Sequence, residues 1–163
     1  MTVEPQSRPG SPEEAPEHLR LRLWVRLLRA ARPIEAELRR RLTREFGVTL
    51  PKFDVMAALA RREAGMTMTE VSRLLMVSNG NVTGLVDRLV AEGLVMRIAN
   101  EKDRRATFVR LTNKGLRLFE VMAAAHERWV NEILGSFSDE RSETMVGLLD
   151  ALREETHTGV RSP

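Results

Sequence analysis

The chain has 163 residues, 42% hydrophobic and 30% charged, with no cysteine, which suits one compact domain or a small module with helical extensions. The missing thiols exclude disulfides, thiolate nucleophiles, thiolate metal sites and cysteine-based peroxide sensing, and no apolar run approaches the length that spans a bilayer. Net charge is only +3 but unevenly spread: residues 17–46 carry nine arginines against four glutamates and residues 115–157 four arginines against nine acids, so the first part suits a polyanion and the last part does not.

In chain order, residues 1–17 form a polar, proline-rich tail without the apolar segment of a secretory signal, the pattern of a cytoplasmic protein. Residues 18–46 repeat Leu19, Leu23, Trp24, Leu27, Leu28, Ala31, Ile34, Leu38, Leu42 and Phe46 at steps of mostly three and four, which predicts one long amphipathic helix. Pro33 removes a donor and should kink or break it, and Gly47 should end it. Its arginines, Arg39, Arg40 and Arg41 among them, suit either a polyanion or a solvated helix face. Pro51 suits the first turn of a second helix running to about Arg62, and Gly65 closes that segment.

The stretch TMTEVSRLLMVSNGNVTGLVDRLVAEGLV follows. Thr67 and Glu70 form a capping box ahead of the stripe Val71, Leu74 and Leu75. Ser78 caps the next helix, whose apolar residues Val82, Leu85, Val86, Leu89 and Val90 keep one face until Gly93. Two short helices on a tight turn form a helix-turn-helix. Outside the apolar stripe of the second helix stand Ser78, Asn79, Gly80, Asn81, Thr83, Gly84, Asp87 and Arg88. Such a small, uncharged tip suits a major groove: Asn pairs with adenine, Ser and Thr accept several bases, and Gly80 lets backbone approach phosphate. The same residues also make an ordinary turn and helix start.

Past Gly93 the period changes. LVMRIAN and ATFVRL read as two antiparallel strands joined by a charged tip with Lys102, Asp103, Arg104 and Arg105. That is a wing whose cations reach phosphate or a minor groove; Asp103, repelled by phosphate, serves better to hold an arginine or a helix end. From Thr112 a helix through Leu116, Phe119, Met122, Ala123, Trp129, Val130, Ile133 and Leu134 runs to about Gly135, and a last helix capped near Ser138 presents Met145, Leu148, Leu149 and Leu152.

The order helix-turn-helix, GLV, then a D-x-R wing ending in LT (Asp103, Arg105, Leu111, Thr112) resembles the MarR family of winged-helix transcription regulators over residues 20–155, most specifically over 67–115. The resemblance implies a mainly α fold with a small β-wing: residues 18–46 and 115–157 as N- and C-terminal dimerisation helices around a winged helix-turn-helix DNA-binding domain at 47–114, with a short tail at 158–163. It places the minor-groove arginine of the wing on Arg105, and Gly84 departs from the basic residue often found there. DNA contacts are then expected from Ser78, Asn79, Gly80, Asn81, Thr83, Arg88, Lys102, Arg104 and Arg105, with Asp103 stabilising the wing. The chain's own pattern agrees with a homodimer, because a lone winged helix leaves the terminal apolar stripes uncovered; a second copy would set two recognition helices about one DNA turn apart on a palindromic operator. The resemblance further implies a small-molecule effector between dimerisation helices and winged helix, with Trp24, Leu28, Arg32, Arg40, Phe53 and Met56 as candidate lining groups. LPKFDVMAALAR and MVSNGNVTGLVDRLVAEGLV are also similar to members that control aromatic-acid catabolism and respond to aryl coenzyme A thioesters. No cofactor, metal or enzymatic motif is implied. A ligand-independent architectural DNA-binding protein is the competing reading.

Overall fold

The structure, a computed structural model, describes residues 16–99 and 107–159. Among these residues six helices and three short strands follow one another as α1 Pro16–Phe46, α2 Leu50–Ala60, β1 Met66–Thr67, α3 Met68–Leu75, α4 Asn79–Ala91, β2 Val95–Ala99, β3 Thr107–Leu111, α5 Asn113–Leu134 and α6 Asp139–Gly159. The chain divides into two units within α1, at Glu37 and Leu38.

In the first unit the side chains of Leu19, Leu21, Leu23 and Trp24 are 50–61% exposed. The break expected at Pro33 does not occur, since the helix passes through it. The missing donor leaves the carbonyl of Arg29 without its helical partner, and both residues lie on exposed turns, where water can satisfy that carbonyl.

The second unit holds the core. Leu42 from the end of α1, Val55, Met56 and Leu59 from α2, Val71 from α3, Val82, Val86 and Leu89 from α4, Val109 from β3 and Met122 from α5 are all at most 2% exposed. The apolar spacings read from the sequence therefore converge on one packed centre. The sheet is antiparallel in the order β1-β3-β2. Its hairpin was expected, but β1 was not: two residues, Met66 and Thr67, pair with Val109 and Phe108. Gly65 makes that edge possible, because at φ +85 a Cβ there would lie 2.8 Å from the Val109 carbonyl oxygen. Gly47 and Gly93, expected as helix stops, sit at φ +64 and +71.

Two close contacts seat the remaining helices. Near the end of α1, Arg41 pairs with Glu132 and lies 5.9 Å from the Trp129 ring, which also meets Phe46. At the start of α5, the Thr112 hydroxyl donates to the Gly93 carbonyl at 2.7 Å and accepts from the Gly115 amide at 3.0 Å. The α5 backbone comes so close to Leu94 that a Cβ on Gly115 would stand 2.0 Å from its carbonyl oxygen. The LT and GLV motifs thus face each other across one joint, which fixes where the wing leaves the helix-turn-helix.

Candidate nucleic-acid interface

The capping box takes the form read from the sequence. Thr67 Oγ1 accepts from the Glu70 amide at 3.2 Å, and the Glu70 carboxylate accepts from the Thr67 amide at 2.8 Å. Those bonds to Thr67, helped by nearby Arg62 and Arg73, hold the Glu70 carboxyl below its ordinary value. At the other end of α3, the Met76 amide donates to Arg73 and the Val77 amide to Ser72, while the Ser72 hydroxyl donates back to the Val77 carbonyl at 2.6 Å. This is a Schellman closure with methionine, at φ 54, where glycine is usual. Nothing in the sequence points to it, because a methionine carries no turn signal of its own.

Ser78 then caps α4, its hydroxyl accepting from the Asn81 amide at 3.4 Å. Ser78, Asn79, Gly80, Asn81 and Thr83 are all exposed, whereas Gly84 is half-buried. Thr83 donates to the Asn79 carbonyl at 2.9 Å, which leaves its methyl and the Asn79 amide group on the outer surface. The tip therefore presents amide, hydroxyl and methyl groups, bears no charge, and has bare backbone at Gly80, where a Cβ would meet nothing within 4 Å. Arg88 is exposed and takes part in no ion pair among the described residues.

Asp87, left unassigned by the sequence pattern, accepts from Arg97 of β2 at 2.6 Å. A carboxylate on this face would repel phosphate; the guanidinium offsets it and links α4 to the first wing strand. Lys52 makes a second brace, pairing with Glu92 at the end of α4. Neither pair is visible from sequence, since the partners are 10 and 40 positions apart. Lys102, Asp103, Arg104 and Arg105, the expected wing tip, lie outside the described residues.

The groups expected to line an effector cleft do not behave alike. Phe53 and Met56 are 7% and 0% exposed, and Phe53 stacks on His126 at 4.9 Å and packs against Phe119 at 5.6 Å. Both are core residues, because the inner face of α2 is covered by α4 and α5. Trp24 and Arg32 are exposed and Leu28 half-buried within the first unit, and Arg40 is exposed in the second. His126 is half-buried, and desolvation holds its imidazole below the ordinary value. No trio of metal-ligating side chains occurs among the described residues.

A capped helix-turn-helix, an antiparallel wing and flanking long helices define a winged-helix nucleic-acid-binding architecture. A profile of the MarR family matches residues 46–106. The transcriptional activatory protein BadR of Rhodopseudomonas palustris is 36% identical over 120 residues, 72% of this chain and 68% of BadR. The regulator PecS of Dickeya dadantii is 30% identical over 69% of this chain and 68% of its own length. Among solved structures, a MarR family transcriptional regulator from Silicibacter pomeroyi superposes with a TM-score of 0.77 at 34% identity, covering 88% of this chain and 99% of that one. MepR of S. aureus, solved as a complex with DNA, shares the fold at a TM-score of 0.70 and 19% identity, covering 88% of this chain and 99% of its own. The chain belongs to the MarR family of transcriptional regulators, DNA-binding proteins without enzymatic activity. No described helix is long and apolar enough to cross a membrane.

Proposed function

We propose that the protein is a dimeric, operator-specific repressor released from DNA by a small aromatic carboxylate or its coenzyme A thioester. The observation that carries the DNA-reading part is the exposed, uncharged tip of α4, with Asn79, Asn81 and Thr83 outward on a helix start capped by Ser78. Its hydrogen-bonding groups match base edges in a major groove, and Arg88, Lys102, Arg104 and Arg105 supply the phosphate and minor-groove contacts that position them. The dimer is supported by apolar side chains left uncovered in a single copy: Leu134, Phe137, Met145, Val146, Leu148 and Leu149 are 40–63% exposed. A second copy of the same chain is the economical cover, and it doubles the recognition helices.

Fluorescence anisotropy with a palindromic operator and a random duplex tests the reading. Operator affinity should exceed random affinity at moderate salt and fall steeply as salt rises, because each neutralised phosphate releases a counterion. Arg105→Ala should weaken operator binding by about 1–3 kcal/mol. Equal affinity for both duplexes, with no response to aromatic acids or their thioesters, would favour the architectural reading. Activation is a second reading, favoured by the similarity to BadR, a transcriptional activatory protein; a promoter reporter that loses signal on deletion of the gene would establish it.

A further inference from the structure

The outer face of α4 is bare along its middle. Gly80 and Gly84, four residues and so about one turn apart, lie on the side opposite the buried Val82, Val86 and Leu89. A Cβ on Gly80 would meet nothing within 4 Å, and one on Gly84 would meet a single described group, Arg88 Nη1, at 3.9 Å. The Arg88 side chain therefore runs back along the helix, the direction in which helical side chains lean. Its guanidinium stands over the bare backbone of Gly84, closer to the tip of Asn79, Asn81 and Thr83 than its own Cα. On the helix surface Arg88 neighbours Gly84, Leu85, Ala91 and Glu92, and Asp87 adjoins it in sequence. Both acids are taken, Asp87 by Arg97 at 2.6 Å and Glu92 by Lys52. Arg88 is left exposed and in no ion pair among the described residues.

We propose that Gly84 is a notch that seats the Arg88 guanidinium in the centre of the reading face, where Arg88 recognises a guanine in each operator half-site. A guanidinium donates two parallel hydrogen bonds to O6 and N7 of guanine in the major groove, whereas adenine presents an amino donor in place of the first acceptor. A phosphate contact asks only for positive charge at the flank of the helix. A cation drawn to the middle of the outer face, behind a tip of amide and hydroxyl groups, meets base edges instead. A side chain longer than a methyl at position 84 would fill the notch and push the guanidinium toward the flank. The Asp87–Arg97 and Lys52–Glu92 pairs then have a second effect: besides bracing α4, they withhold the two carboxylates that would draw Arg88 away. The inference rests on the operator-specific reading above and sharpens the role given there to Arg88, from a positioning contact to a base contact.

The probe is the duplex that the full wild-type chain selects from a randomised pool, together with its single-base-pair variants, each measured by fluorescence anisotropy. One G·C pair in each half-site should be preferred over A·T by about 5- to 150-fold, the discrimination of a good bidentate pair. Arg88→Ala should abolish that preference, keep the preferences at other positions, and leave the melting temperature and the salt dependence of binding unchanged. Gly84→Ala fits the 3.9 Å space in ordinary contact and should retain the guanine preference. Gly84→Leu should lose it at the same base pair, and should remove nothing further there when combined with Arg88→Ala. Should Arg88→Ala fail to fold, the contrast between Gly84→Leu and Gly84→Ala decides, since both residues are good helix formers. Uniform weakening across all duplexes in Arg88→Ala, with a shallower salt dependence, assigns Arg88 to phosphate and overturns the proposal. A guanine preference that survives Gly84→Leu overturns it as well. A wild-type consensus that Arg88→Ala leaves unaltered overturns this inference alone; no consensus at all overturns the operator-specific reading with it.

Discussion

The helix-turn-helix and the C-terminal helix α6 have apolar residues at similar spacing and opposite fates. Val82, Val86 and Leu89 of α4 are fully buried, whereas Met145, Val146, Leu148 and Leu149 of α6 are 43–63% exposed. Periodicity alone does not distinguish them. The difference is that α4 finds α2, α3 and β2 in its own chain, while α6 meets little of it. An amphipathic stripe states that a helix must be covered without stating by what, and the contrast separates what one copy of this chain stabilises from what a second copy is proposed to stabilise.

The sharpest way to break this contrast is the same substitution in both places. Val86→Asp buries an unpaired carboxylate and should cost about 3–5 kcal/mol, enough to unfold the chain in a urea titration. Leu148→Asp should leave helical content intact and instead shift sedimentation from dimer toward monomer. If both variants merely unfold, or if Leu148→Asp stays dimeric, the division between self-sufficient and partner-dependent regions is wrong.

Gly115→Ala probes the joint that lets the helix-turn-helix close upon itself. With a Cβ 2.0 Å from the Leu94 carbonyl oxygen, α5 or the start of the wing must shift, at a cost of about 1–3 kcal/mol. An unchanged denaturation midpoint would show that the joint is loose. Met76→Gly works in the opposite direction. Relieving a left-handed methionine should stabilise the fold by about 0.5–1 kcal/mol, seen as a raised melting temperature; a lower one would show that Met76 makes contacts worth more than its strain.

The smallest expected effect is a pH dependence from His126. Burial holds its imidazole below the ordinary value of 6.5, so between the two values the unfolded chain binds the extra proton. Stability from this group is complete above about pH 7 and declines as pH falls through the ordinary value toward the folded one. His126→Phe keeps a ring against Phe53 and should flatten that decline by less than about 0.5 kcal/mol, since solvent screens a half-exposed group. Identical slopes for both proteins between pH 7.5 and 5.5 would remove His126 from the account.

Much of this protein is legible in its sequence. Thr67 with Glu70, Ser78 with Asn81 and Thr112 with Gly115 act on backbone groups three positions along the chain, and such capping is set by the local sequence; the Thr112 bond to Gly93, 19 positions away, is not. The helix stripes and the hairpin are equally local, because they repeat at the period of the backbone. The exposed polar tip of α4 followed by subtraction, once the apolar face was known. The surroundings of the expected effector groups were not legible for the converse reason: Phe53 and Met56 suit a ligand pocket as well as a core, and only the elements packed over α2 bury them.

What the sequence determined by itself is the set of helices, the caps at Thr67, Ser78 and Thr112, the wing strands and the polar character of the reading tip, since each depends on neighbours in the chain. Tertiary structure alone decided that β1 joins the sheet and that Asp87 is balanced by Arg97 and Lys52 by Glu92. Those outcomes depend on distance between residues remote along the chain, and a one-dimensional pattern carries no record of which distant surfaces the folded backbone brings within reach.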